Sequence, residues 1–553
     1  MVEIRLVSCL TKVFCDEAPP AMTLLPEGLA GEKGAFQLAF KGGERSSLVQ
    51  LKIDSAIAEY ITLYRVKQVP VGYTAPQEAD EDYLRKDPGL FPDLLMPPDN
   101  EHLRLYPDHW EAVWLEIALP KDFAGGEYPI RLSLMQDDGT VLASCEAAYR
   151  HIPVRLPPQK LIHTRWFHCD GLCQYYHVEM FSEAFWRICE SFLRAARDMG
   201  VNCLLTPVHT PPLDTRVGGE RLTCQLVDIC KKGEQYVFGF EKLEKWVRLA
   251  QKLGFRYFEI AHLFTQWGAE HAPKIVSEGS ENNGEIKRIF GWESEAAGAE
   301  YVGFLKQYLP ALKNELRRLG VLENCFFHIS DEPNERHLEN YLKVKNAISE
   351  ELKDLRVIDA LSDIEFYRRG VVSHPVPASD RLEPFLEAKV PALWTYYCCG
   401  QFRDVSNCFI AMPAARTRIL GLQLYKYDIA GFLQWGFNFY NSQYSEYPIN
   451  PYLTTDGDGF SPAGDCFIVY PGSNGEALPS IRAKLIAQAM SDLRALELLE
   501  TFIGKEEVLR LVEKDIDPIT FKQYPRDEAY LLNLRRRINA AIEKYALPLS
   551  RGC

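Results

Sequence analysis

Apolar and polar positions alternate at period two along the first 155 residues. The clearest runs are Ala112-Val-Trp-Leu-Glu-Ile-Ala-Leu119, Gly125-Gly-Glu-Tyr-Pro-Ile-Arg-Leu-Ser-Leu134 and Val141-Leu-Ala-Ser-Cys-Glu-Ala-Ala-Tyr149, the last two joined across the turn Asp137-Asp-Gly-Thr140. Short alternating runs separated by turn signals predict an antiparallel β-sandwich. The segment 152–159, IPVRLPPQ, reads as a proline-stiffened linker. Beyond it, apolar runs alternate with segments of helical period. Strands are expected at 161–167, 202–207, 256–262, 325–330, 356–361, 370–376, 392–398 and 431–438. Helices are expected at Ser182–Met199 with Ser182 as N-cap, and at Glu241–Leu253, Glu300–Leu319, Asn334–Leu355 and Pro479–Leu499. Strands alternating with helices make parallel units, and eight of them make a barrel. The expected fold is therefore α/β: a (β/α)8 barrel over 156–500, preceded by an N-terminal antiparallel β-sandwich over 1–155. A helical C-terminal extension over 501–553 follows, with Arg535-Arg-Arg on a solvated amphipathic stretch. Two long loops, 208–239 and 263–299, leave the C-terminal ends of strands, the face on which such barrels build active sites.

At 553 residues the chain is long enough for one large domain with smaller ones attached. Its composition is that of a globular protein, but it is rich in aromatics, with 9 Trp and 27 Tyr, which suits stacking on flat or ring-shaped ligands. A net charge of −14 argues against nucleic acid, whose binding relies on clustered Lys and Arg, and favours a neutral substrate. No stretch of 18 apolar residues exists to span a membrane, and the N-terminus lacks the apolar core of a secretory signal. Fifteen scattered cysteines, including the neighbours Cys398 and Cys399, suit reduced thiols, and the chain reads as cytoplasmic. Nothing in the sequence sets an oligomeric state.

The polar residues that matter on a barrel are those at strand C-terminal ends. Strand one ends in Trp166-Phe-His168-Cys-Asp170 and strand two in Thr206-Pro-Val-His209. Strand three ends in Glu259-Ile-Ala-His262-Leu-Phe-Thr-Gln266-Trp267 and strand four in His328-Ile-Ser-Asp331-Glu332. Strand seven carries Trp394-Thr-Tyr396-Tyr397 and strand eight Trp435-Gly-Phe-Asn438. Each residue alone has a bland reading, because a lone strand histidine usually sits hydrogen-bonded in a core and a strand tryptophan usually packs. Their convergence on one end of the barrel is what points to a site. Asp331 and Glu332 also fit a plain helix start, since acids favour a helix N-terminus and Pro333 is common at the first helical position. That explains the residue types but not their placement after the apolar run CFFHIS. Repulsion between the two carboxylates raises one pKa, giving the acid and base that a glycosidase needs. His168, Cys169, Asp170, Cys173, Cys224 and Cys230 match no closed zinc spacing, so no metal is expected. No Gly-x-Gly-x-x-Gly and no P-loop follow a strand, so no cofactor is expected either.

HISDEP, LWTYYCC, GFLQWGFNFY and VYPG with PSIRAKLIAQAMSDLRALELLE resemble glycoside hydrolase family 123 and its relatives, over about 160–500. The preceding sandwich is similar to that family's N-terminal domain. The resemblance implies an exo-acting, retaining β-N-acetylgalactosaminidase. In such an enzyme the sugar's own 2-acetamido oxygen attacks the anomeric carbon, Asp331 stabilises the oxazolinium, and Glu332 protonates the leaving oxygen and then activates water. It also implies Trp435 as a platform under the sugar and Tyr396 or Tyr397 as a hydrogen-bond partner of the acetamido group. His168, Asp170, His209, His262, Gln266, Trp267, Trp394 and Asn438 stand as further carbohydrate-binding candidates. The rival readings are a β-N-acetylglucosaminidase or broader β-hexosaminidase, a non-catalytic carbohydrate-binding protein, and a metal-dependent barrel hydrolase.

Overall fold

Period-two alternation sorts the N-terminal strands into two sheets that share one core. In a computed structural model describing residues 2–100, 102–278 and 285–547, one sheet has the order Glu3–Ser8, Gly34–Lys41, Glu111–Ile117, Ile61–Val71, Gly89–Met96. The other has the order Glu27–Ala30, Val141–Arg155, Gly126–Met135, Ser47–Asp54, His102–Leu105. Alternate residues Phe36, Leu38, Phe40, Val113, Leu115 and Ile117 of the first meet Val49, Leu105, Ile130, Leu132 and Leu134 of the second. The intervening residues of the first sheet, Ala35, Ala39, Ala112 and Trp114, are buried too, because they join the core of the following domain. Glu111–Ile117 is thus covered on both faces, which is why its sequence is apolar almost throughout.

Two sequence expectations change here. Residues 152–155 are the end of a 15-residue strand, Val141–Arg155, and not a linker. Backbone pairing to Glu27–Ala30 extends it, and that pairing is parallel in an otherwise antiparallel sandwich. The C-terminal region is also less solvated than its charge suggests. Helix Glu528–Ala546 buries Leu531, Leu534, Ile538 and Ile542, and Arg535 lies buried between Glu32 of the sandwich and Asp492 of helix Ile481–Ile503.

All eight expected parallel strands form, each shortened to three to five residues. Their order around the sheet is six, five, four, three, two, one, eight, seven. A single bridge, Ala378 to Tyr396, joins six to seven, so the barrel is nearly closed. Its interior is filled by Leu205, Phe326, Ile358, Val376, Trp394 and Leu433. Helix Glu183–Asp198 starts on the expected cap, with Ser182 accepting from the Phe185 backbone N–H. The helix expected at 334–355 breaks into a turn, Glu335–His337, and helices Leu338–Ala347 and Ser349–Leu352, the break falling at Ile348 beside the weak helix formers Asn346 and Ser349. The two long loops each carry a hairpin, Asp228–Lys232 with Gln235–Gly239 and Ile275–Glu278 with Ile286–Phe290. Among the described residues no helix is long and apolar enough to cross a membrane.

Sandwich and barrel are joined by charge as well as by packing. Asp93 on strand Gly89–Met96 and Arg482 on helix Ile481–Ile503 are both fully buried and pair through two hydrogen bonds of 2.9 Å. Tyr470 adds a third bond to Asp93 at 2.7 Å. Removing one partner strands a desolvated charge, so Asp93→Ala should lower stability by about 3–5 kcal/mol. Urea unfolding should show this as a lower midpoint; an unchanged midpoint would mean that the pair does not hold the two domains together.

Candidate active site

At the barrel mouth the backbone is strained in one place. Asp214, Trp267, Ala269, Glu332, Tyr444 and Ser445 all have positive φ, between 40° and 58°, although none is glycine. Such conformations cost of order 1–3 kcal/mol each and persist where surroundings impose them. The surroundings are one another. The Asp214 N–H donates to Gln266 Oε1 at 2.7 Å, Ser445 Oγ donates to the Asp214 carbonyl at 2.9 Å, and Trp267 meets Tyr444 edge-on at 6.0 Å. The Trp267 N–H donates to the Asp331 carbonyl at 2.9 Å and the Glu332 N–H to the Ala360 carbonyl at 3.0 Å. Loops following strands two, three, four and eight thus meet around Asp331 and Glu332. The helix-start explanation for these two acids fails, because the cap of the following turn is Asn334. Pro333 disfavours a right-handed helical conformation at Glu332, and the chain turns left-handed there instead.

Glu332 Oε1 accepts a hydrogen bond of 2.6 Å from the Tyr396 hydroxyl at the end of strand seven. Burial and then the Glu332 charge push the Tyr396 phenol well above its ordinary range, so it stays a donor. Asp331 is partly accessible, yet protein surrounds its carboxyl. Desolvation and the adjacent Glu332 charge push that carboxyl well up, against the opposing pull of His328.

Beneath the pair lies a buried polar group that sequence reasoning did not select. His328 Nε2 donates to Glu259 Oε1 at 2.7 Å, and its Nδ1 lies 3.6 Å from Asp359 Oδ1, an ion-pair distance too long for a hydrogen bond. Burial alone would neutralise this imidazole, but Asp359 and Glu259 together outweigh burial and raise it to about 9. Glu259 also accepts from Trp166 Nε1 at 2.8 Å and from the Thr164 hydroxyl. Asp359 accepts from the Ile329 N–H at 2.9 Å and from Tyr341. The signal in the sequence was a single glutamate inside the strand RYFEIAH and one aspartate inside RVIDAL, each unremarkable by itself.

The sequence candidates divide by what they touch. Tyr396, Trp435, Gln266 and Trp267 stand at the mouth. Trp435 donates from Nε1 to Asp465 Oδ2 at 2.9 Å, which fixes the ring, and it packs against Phe439 at 5.1 Å. Burial pushes Asp465 up to about 6, opposed by its bonds from Trp435 and Ser461. His262 is buried, stacks on His328 at 4.1 Å and has no partner for either ring nitrogen. Burial and the His328 charge hold it well below the usual histidine range, so it is neutral.

Others are held away from the mouth or used up. Trp394 begins strand seven and packs on Phe326 inside the barrel. Tyr397 points outward onto Phe432. Asn438 spends its amide on the His168 backbone, at 2.9 and 3.0 Å. His209 Nε2 bonds the His262 carbonyl. Asp170 is paired with Arg221 through two bonds of 2.8 and 2.9 Å, and His168 Nε2 bonds the Trp435 carbonyl. These residues support the site's walls. Arg221, Asp214 and Asp465 lie on loops whose partners no spacing rule connects. Among the described residues no group of three or more His, Cys, Asp or Glu side chains is arranged to hold a metal ion.

The His328 charge has a measurable consequence. Its folded pKa, about 9, exceeds the ordinary 6.5, so its contribution to stability is complete below pH 6.5 and is lost as pH rises through 9. The span corresponds to a loss on the order of 3 kcal/mol. His328→Gln should remove that part of the slope when unfolding free energies are compared from pH 6 to 10. Parallel wild-type and variant curves would show that the imidazole is neutral.

In overall structure the chain is similar to a family 123 glycoside hydrolase from Clostridium perfringens described in work on glycolipid glycan hydrolysis. The superposition covers 99% of both chains with a TM-score of 0.73 at 14% sequence identity. A β-glucuronidase from Parabacteroides merdae matches at a TM-score of 0.30 and 10% identity, over 88% of this chain and 52% of its own, too distant to inform the fold. No curated protein matches the chain. The glycoside hydrolase 123 catalytic domain matches residues 166–499, a span that includes the whole barrel mouth described above. The chain therefore belongs to glycoside hydrolase family 123.

Proposed function

We propose that this glycoside hydrolase releases terminal β-linked N-acetylgalactosamine with retention, using the substrate's 2-acetamido oxygen as nucleophile. One observation carries the reading. The two mouth carboxyls are consecutive residues of one strand end, and Glu332 is tied to Tyr396. Neighbours on one backbone are not set to face each other across a glycosidic bond. An enzyme nucleophile and its acid must instead flank the bond about 5 Å apart. A nucleophile carried by the substrate removes that requirement. The glycolipid glycans named for the Clostridium perfringens relative support a terminal glycan sugar as substrate.

The proton inventory fits these roles. In the free protein burial and then the Glu332 charge push the Asp331 carboxyl toward its protonated form. A bound acetamido N–H donating to Asp331 favours its ionised form, which moves the proton to Glu332. There Tyr396 occupies one carboxyl oxygen and leaves the other to protonate the leaving group. Ionised Asp331 then stabilises the positive charge growing on the oxazolinium ring, and the His328 cation beneath favours that ionised form of Asp331. Trp435 offers its face to the sugar's apolar side. Unpaired thiols at all fourteen described cysteines support a cytoplasmic setting.

The chain should hydrolyse an aryl β-N-acetylgalactosaminide equally well with and without chelator, while the 2-hydroxy analogue should be turned over negligibly. Comparable hydrolysis of that analogue, or a covalent ester trapped on either acid by a fluorosugar, would make an enzyme carboxylate the nucleophile. Glu332→Gln should lose about 10²–10⁴-fold on poor leaving groups and much less on activated aryl glycosides. Equal losses on both would remove Glu332 as the acid. Asp331→Asn should weaken inhibition by a thiazoline mimic of the intermediate far more than it weakens substrate binding. A change in KM as large as that in the inhibition constant would separate Asp331 from the charged intermediate.

A further inference from the structure

We propose that Asp214 and Gln266 form a hydroxyl-binding pair for the terminal sugar, a role that rests on the glycosidase reading above. Two polar groups at the mouth have no protein partner. Gln266 is only 7% exposed; its Oε1 is taken by the Asp214 N–H at 2.7 Å, while its Nε2 reaches no acceptor. The amide orientation is forced, since reversing it would set two N–H donors against each other. Asp214 Oδ2 is likewise buried and accepts nothing. Buried polar groups are nearly always satisfied, so an unpaired donor and an unpaired acceptor on two residues tied by a backbone-to-side-chain hydrogen bond call for an absent partner. A sugar hydroxyl both donates and accepts, and two neighbouring hydroxyls match one amide and one carboxylate.

The placement agrees. Gln266 directly precedes Trp267, whose N–H bonds the backbone carbonyl of Asp331, so Gln266 sits on the segment tied to the backbone that carries the two acids. Asp214 is held at a φ of 40° by Gln266 on one side and by the Ser445 hydroxyl on the other. Strain held in this way marks sites where a side chain must point in one direction. Burial pushes the Asp214 carboxyl up to about 6, with Arg221 and the Tyr444 backbone opposing; a bonded hydroxyl would favour its ionised form. Asp170 occupies the Arg221 guanidinium through two hydrogen bonds.

The test compares wild type, Asp214→Asn and Gln266→Glu on an aryl glycoside and its 3-, 4- and 6-deoxy analogues. Gln266→Glu keeps an acceptor for the Asp214 N–H and exchanges the donor for a carboxylate oxygen beside Asp214. Each variant should lose about 10- to 100-fold in kcat/KM on the parent sugar. On one deoxy analogue, already poor for wild type, the further loss should be under about threefold, because the hydroxyl and the side chain report the same bond. Thermal midpoints of Asp214→Asn should stay near wild type. Equal losses on all four substrates, or unchanged kinetics, would overturn the pair. A wild type inactive on N-acetylgalactosaminides but active on another aryl glycoside overturns the substrate reading alone, and the deoxy series is then built on the sugar that is cleaved.

Discussion

A cationic imidazole between two buried carboxylates is the constraint on which the site depends. His328 ties strand four to strand three through Glu259 and faces Asp359 of strand five. Asp359 in turn accepts the Ile329 and Ser330 N–H groups, which are the backbone leading to Asp331. Replacing water around three charges is costly, and the structure meets that cost with hydrogen bonds from Trp166, Thr164 and Tyr341. The result is a short strand end whose next two residues, the acids, have little freedom. The same group bears on the electrostatics above it: burial and the adjacent Glu332 push Asp331 toward its protonated form, the His328 cation draws it toward the ionised form, and Asp359 and Glu259 oppose that pull.

Rigidity at the bottom permits strain at the top. Left-handed residues on four loops lean on one another through Gln266, Ser445, Trp267 and the Asp331 carbonyl. Barrel strands of three to five residues do little to fix such loops alone. Trp435 is fixed by the same logic, since its indole N–H is committed to a buried Asp465 that the Gln434 and Ser461 side chains also hold.

The sandwich belongs to this framework and is not a detachable appendage. Its first sheet is buried on both faces, the strand Gly89–Met96 lies against helix Ile481–Ile503, and Asp93 meets Arg482 across the seam. Arg535 closes the same seam from the C-terminal helix, touching Glu32 of the sandwich and Asp492 of the barrel's last helix. The arginine run that reads in sequence as a solvated face is divided by the helical period, Arg535 turning inward while Arg536 stays half exposed.

Periodicity along the chain determined the fold class, the eight barrel strands, the main helices and the strand ends on which a site had to lie, because local side-chain spacing decides which face of an element is apolar. Residues 152–155 escaped that reading, since a strand end bearing proline looks like a linker until its parallel partner at Glu27–Ala30 is known. The adjacent acids and the aromatic mouth were legible because they are consecutive or recur at strand ends. What only the tertiary structure decided is which polar groups meet. It joined Tyr396 to Glu332 and turned Tyr397 away, used Asn438, His168 and Asp170 as internal braces, and brought Asp214, Glu259, Asp359 and Asp465 to their partners. Spacing in sequence carries the direction of a side chain, but a hydrogen bond or a charge pair depends on distance across space, and that is fixed only when the strands close around one another.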